Sequence, residues 1–145
     1  IVGANASQGV ATLAAKTKYS ITYAEKNWGD AYGLRAVSVS NASGNFVFPE
    51  SGAVSAFLGD AEQDANGIVS YAYGTKLAGA YTLGIVSYML LETEYKDKAR
   101  GAAVKQLAEY ILSPACAAVD PKLGYVVLSG DYLTKAKALI EKANK

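Results

Sequence analysis

The sequence predicts an α/β domain, and three stretches carry that expectation. Residues 97–112 place Val104, Leu107, Ala108, Ile111 and Leu112 on one stripe at helical spacing. Residues 19–24, "YSITYA", alternate and are rich in β-branched and aromatic side chains, which predicts a strand. Residues 80–91, "AYTLGIVSYMLL", are apolar on both faces, the pattern of a strand in the middle of a sheet covered by helices. Helical and extended patterns are mixed along the whole chain, as in α/β proteins.

The remaining elements follow in order. Val10, Leu13 and Ala14 give a first amphipathic helix, with Ser7 as its expected N-cap. An opening helix whose apolar face needs cover raises the expectation of further chain ahead of Ile1. After the strand at 19–24, "EKNWGDAYG" reads as an irregular crossing segment. Residues 35–40, "RAVSVS", form a short alternating strand; "NASG" is a turn and "NFVF" its hairpin partner, because Asn and Gly tolerate left-handed backbone. Pro49 suits the first turn of a helix whose apolar face is Val54, Phe57 and Leu58, with Gly59 as its C-terminal cap. "DAEQDANG" is expected to be a polar loop. Ser113 and Pro114 restart a short helix after the long one, as cap and first residue. "LGYVVL" is a brief strand or extended segment. A last helix runs from Asp131, with Leu133, Ala136 and Ile140 on one side and lysines on the other.

Composition bounds the function. The chain has 145 residues, 51% of them hydrophobic, enough for one domain with one core. Fourteen basic and thirteen acidic residues leave a net charge of +1, which excludes the broad basic field of a nucleic-acid binder. The longest apolar run, 80–91, is too short to span a bilayer, so a soluble domain without a transmembrane segment is expected. There is no histidine, which removes the commonest general base and metal ligand together. Cys116 stands alone, so no internal disulfide and no Cys-rich metal site can form, and a nucleophilic role lacks its usual His partner. In "PACAAV" it reads as a small buried residue; the alternative is a bond to a cysteine outside these residues. Eleven tyrosines against three phenylalanines, with plentiful Ser, Thr and Gly, lean toward an extracellular protein. Asn-x-Ser sequons stand at Asn5 and Asn41.

No set of residues reads as catalytic, cofactor-binding or metal-binding. Neither G-x-G-x-x-G nor a P-loop occurs. "LSGD" and "ASGN" have the composition of anion nests, but also of routine turns. Asp60, Glu62 and Asp64 are spaced like part of a calcium loop, without the glycine and closing glutamate at the required offsets. Glu92 and Glu94 are expected at the surface, and Lys135, Lys137 and Lys142 on the wet face of the last helix. Trp28, Tyr71 and Tyr73 are aromatic enough to stack a ligand, and equally suited to a core.

The order of these pieces resembles the C-terminal part of the phosphate-binding proteins of phosphate ABC transporters. That family carries a helix leading into a Gly-Ile-Gly-Tyr-Val-Glu strand, similar to "GANASQGVATLAAKTKYSITYAE" here. It continues with Asn-x-x-Gly-x-Phe-Val-x-Pro, matched by Asn41, Gly44, Phe46, Val47 and Pro49. An "AYPI" strand follows, matched by "AYTLGIVSYMLL". Last come Leu-Gly-Tyr-Val-Pro-Leu-Pro and a final helix, matched by "LGYVVLSGDYLTKAKALIEK". The likeness spans nearly all 145 residues, as a divergent relative. Ser20 and Thr22 replace two glycines, Thr82 replaces a proline, and Val127 and Ser129 replace both prolines of the terminal motif.

The resemblance implies the C-terminal portion of a two-lobed periplasmic-binding-protein-like fold (type II). Residues 1–30 would end the second lobe, and 31–145 would hold the return crossing and the C-terminal part of the first. It implies an extracytoplasmic solute-binding protein, periplasmic or held at the cell surface by a lipid anchor ahead of Ile1, that captures phosphate for an ABC permease and is no enzyme. The family's anion contacts come from a Gly-Ser-Thr loop and an Arg-x-Asp-x-Ser-Gly-Thr stretch, neither of which occurs here. No ligand-binding residue is therefore carried onto this chain. The alternative is a ligand-free structural or interaction protein of a cell-surface assembly built on the same fold.

Overall fold

Asp97 starts the longest helix where the sequence places it. Its carboxylate accepts from Arg100 N at 3.0 Å, satisfying one of the amides that a helix start leaves without a partner. A computed structural model describes residues 1–119 and 124–144. The helices are α1 (Ala6–Lys16), α2 (Lys26–Ala31), α3 (Ser51–Gly59), α4 (Lys98–Ile111), α5 (Pro114–Ala117) and α6 (Gly130–Ile140). The strands are β1 (Val39–Ser40), β2 (Phe46–Val47), β3 (Glu62–Gln63) and β4 (Val69–Ser70), each two residues long. They form two antiparallel ribbons, with Val39 opposite Val47 and Glu62 opposite Ser70.

The β1–β2 hairpin stands where it was expected, with "NASG" as its turn and Gly44 at φ +83°. Ser113 caps α5 and Pro114 opens it, as its sequence requires. Other expectations are corrected. The α1 cap is Asn5 rather than Ser7, which lies inside the first turn. "EKNWGDAYG" contains helix α2, because Lys26 pairs with Asp30 at 2.5 Å and Trp28 stacks near Tyr32, both at i,i+4 spacing. Pro49 sits ahead of the Glu50 cap, and α3 ends at Asp60 in right-handed conformation rather than at a Gly59 cap. "DAEQDANG" holds a strand and turn: Asp64 Oδ1 accepts from Asn66 N and Ile68 N, both at 2.8 Å, folding β3 back onto β4.

The two strongest strand expectations fail. Residues 20–24 and 80–91 run without a ladder among the described residues, although Tyr81 N is bonded to Ala53 O and Val86 N to the Tyr71 hydroxyl. Tyr19, Ile21 and Tyr23 are each at least 90% exposed. Residues 125–128 of "LGYVVL" form no helix or strand, and Leu123 lies outside the described residues.

The core is small. Phe57 is its only large side chain that is fully enclosed among the described residues, joined by Ala11, Val47, Val69, Ala80, Ala108, Ile140 and Ala143. On α4 the buried line is Gly101 and Ala108 with Val104 half-buried, while Leu107 is 57% exposed. The expected stripe holds at Ala108, with Val104 and Leu112 half-buried, and fails at Leu107 and Ile111, which are exposed; α4 meets both α5 and α6. The chain exposes 10130 Å², against about 7,100 Å² for a compact folded monomer of 15.1 kDa.

Candidate functional site

The polar groups that converge most densely do so on Asn41. This residue is 7% exposed and sits at the start of the hairpin turn. Its Nδ2 donates to the carbonyls of Leu77 (3.2 Å), Ala78 (3.0 Å) and Ala80 (3.2 Å). Its Oδ1 accepts from Ser43 N (3.1 Å), Ser43 Oγ (2.7 Å) and Asn45 N (3.2 Å). One amide thus shapes the turn and ties it to a segment nearly forty residues on. Chemically this is a structural hub. The Ser43 and Asn45 amides of "ASGN", which an anion nest would need, are already taken by Asn41 Oδ1. A glycan on the same Nδ2 would displace every bond to residues 77–80. Asn5, the other sequon, is exposed at the start of α1 and makes no cap bond.

A second cluster is aromatic. Phe57, Tyr71 and Tyr73 lie with ring centroids 5.7–5.9 Å apart. The Tyr71 hydroxyl accepts from Val86 N at 2.8 Å, and the Tyr88 hydroxyl from Val69 N at 2.9 Å. The Tyr132 hydroxyl donates to Leu58 O at 2.7 Å and reaches Ala61 O at 3.3 Å. Burial pushes the Tyr132 phenol above its usual value, with Tyr71 and Tyr88 adding to the effect, and burial alone raises Tyr81. These rings are packing and backbone partners. Trp28 lies apart, beside Tyr32 on α2.

The charged candidates disperse. Asp64 is spent on its turn, and the Lys135 ammonium donates to the carbonyls of Gln63 and Asp64, each at 2.9 Å. Lys135 is therefore a half-buried tie between α6 and β3 rather than a wet-face lysine. Asp60, Glu62, Glu92 and Glu94 are exposed, as are Lys137 and Lys142. Lys105 pairs with Glu141 at 2.7 Å. On α1 and α2, the Ser7 hydroxyl bonds Glu25 and holds its carboxyl below the usual range, while Thr12 and Gln8 lower the Tyr32 phenol. Cys116 is half-buried rather than fully enclosed. Ser129 caps α6 in "LSGD" without a side-chain bond.

Two depressions open to solvent lie among the described residues, one of about 500 Å³ along α1 beside Asn5, Gln8, Thr12 and Lys16 and one of about 160 Å³ between Glu109, Lys137, Ile140 and Glu141. Among the described residues no cluster of metal-ligating side chains forms, and no helix is long and apolar enough to cross a membrane. Sequence reasoning missed Asn41 as a hub and Tyr132 and Lys135 as ties. The Asn-x-Ser-Gly turn was a signal for the first; nothing local marks the other two, whose partners lie more than seventy residues away. No family model and no curated protein matches the chain.

Proposed function

We propose that this chain is the C-terminal segment of an extracytoplasmic solute-binding protein that captures phosphate for an ABC importer. In this reading it completes one lobe, supplies the crossing segments and holds the geometry of a clamp whose anion-contacting loops lie in an upstream half. It binds and does not catalyse. The supporting observation is the uncovered apolar chain: residues 19–24 and 80–91, where the family resemblance puts interior strands, carry Tyr19, Ile21, Tyr23, Leu83, Ile85 and Leu90 largely in solvent. Apolar area on that scale is what a partner surface ordinarily covers.

Calorimetry with phosphate and with sulfate tests the reading, on the 145-residue chain and on the chain rejoined to its upstream half. The chain by itself should bind neither anion tightly. The rejoined protein should bind phosphate and reject sulfate by a factor on the order of 10⁴, because a buried carboxylate needs the proton that phosphate carries and sulfate lacks. Tight phosphate binding by the isolated chain overturns the placement of the site. A rejoined protein that folds and binds no anion favours the ligand-free assembly role.

A further inference from the structure

Residues 19–23 read Tyr-Ser-Ile-Thr-Tyr, nearly the same in both directions. Tyr19, Ile21 and Tyr23 are 104%, 90% and 93% exposed, a level that only Leu90 shares among the other internal apolar residues described. The amides and carbonyls of residues 21–24 make no hydrogen bond among the described residues. No charge falls within 19–24. Residues 80–91 are likewise uncharged but differ in their backbone: Tyr81 N is bonded to Ala53 O and Val86 N to the Tyr71 hydroxyl, so part of it is already engaged.

We propose that residues 19–23 pair antiparallel with the same residues of a second copy, the twofold axis passing at Ile21. In that register Tyr19 stands opposite Tyr23 of the second copy, Ser20 opposite its Thr22, and the two Ile21 side chains meet. Aromatic pairs and hydroxyl pairs then face like partners, the cross-strand combinations that favour sheets. An isologous interface requires one patch to be its own complement, and a palindromic strand meets that condition by its order of residues. Pairing also releases Tyr19 from φ +61°, a left-handed conformation that ring side chains rarely adopt. The inference rests on the proposed function in one respect, that an upstream half would compete for this same edge.

Disulfide scanning in a Cys116→Ala background tests the register. Across the axis, Ile21→Cys brings two sulfurs within bonding reach. Tyr19→Cys alone leaves them about 14 Å apart, beyond the roughly 7 Å that a disulfide tolerates. Under mild oxidation, Ile21→Cys should cross-link at least about ten times faster than Tyr19→Cys or Tyr23→Cys alone, in keeping with that geometry. An equimolar mixture of the last two should cross-link to each other. Sedimentation should show a dimer that Thr22→Pro, which removes an amide donor, shifts to monomer. Equal cross-linking rates at all three positions, or a monomer at high micromolar concentration, overturns the proposal. If the upstream half leaves the Ile21→Cys cross-link unchanged, the pairing stands and the reading as a clamp segment falls. If it abolishes the cross-link, both stand.

Discussion

The Tyr132 hydroxyl donates to the Leu58 carbonyl at 2.7 Å, joining the first turn of α6 to the last turn of α3 across 74 positions of chain. The end of a helix leaves carbonyls without intrahelical donors, and this phenol supplies one from another element. Ala61 O, just past the same helix end, lies within reach of the same hydroxyl at 3.3 Å.

Replacing Tyr132 by Phe should therefore cost about 1 kcal/mol, the net worth of one such bond, read as a lower urea midpoint by circular dichroism. The alkaline limb adds a sign. Burial raises the folded phenol above its reference value of 10.0, so its contribution is complete below about pH 10 and is lost as pH climbs through the folded value. The difference between native and Tyr132→Phe should shrink as pH rises above about 10. A constant gap would mean that the hydroxyl is not the stabilising group.

Asn41→Ala should loosen the β1–β2 turn and the 77–80 segment together, at a cost of about 3 kcal/mol, since it strands donors and acceptors on both sides. Asn41→Asp should be worse, because a carboxylate keeps the turn's acceptor but faces three carbonyls with no proton. Amide exchange at Ser43 and Asn45 reads this directly: faster in Asn41→Ala, slow in the native chain.

Gly101→Ala separates two effects of opposite sign. Helix propensity favours alanine by about 1 kcal/mol in an exposed turn. Here an added Cβ would lie 2.5 Å from Asn144 Cγ and 2.8 Å from Tyr95 Cβ. Overpacking should win, with a net loss of about 1–3 kcal/mol. Adding Asn144→Ala should recover only part of it, because the contact with Tyr95 remains. A more stable Gly101→Ala chain would show that the end of α6 does not dock there.

Leu107→Ala should cost less than about 1 kcal/mol in the 145-residue chain, where the side chain is 57% exposed. If an upstream half covers that face, the same change in the rejoined protein should cost about 2–5 kcal/mol. Urea unfolding of both forms makes the comparison.

Local chemistry was legible in the sequence and long-range pairing was not. Asp97, Ser113 and Pro114 mark helix starts through bonds spanning three residues, and they stand as expected. The turn at Asn41 and Gly44 is equally local. Residues 19–24 and 80–91 carry strand composition, but a strand exists only beside another, and neither segment joins a ladder among the described residues. The α4 stripe was right at Val104, Ala108 and Leu112 and wrong at Leu107 and Ile111, because spacing marks an apolar face but not how far its neighbours cover it. The acidic and aromatic candidates did not assemble because each has a local or packing partner, Asp64 its own turn and Tyr71 the amide of Val86.

The tyrosine hydroxyls give the middle of the chain a distinctive kind of order. From β4 to α4 no ladder continues past Ser70 among the described residues, and tyrosine hydroxyls fasten the backbone at separate points, Val69 by Tyr88, Val86 by Tyr71 and Glu92 by Tyr95. A ladder fails by unzipping from its ends, whereas isolated fastenings fail one at a time. Deuterium uptake should accordingly be spotted, with slow amides at Val69 and Val86 set among fast neighbours. Tyr71→Phe should release Val86 while leaving Val69 slow, and Tyr88→Phe should do the reverse.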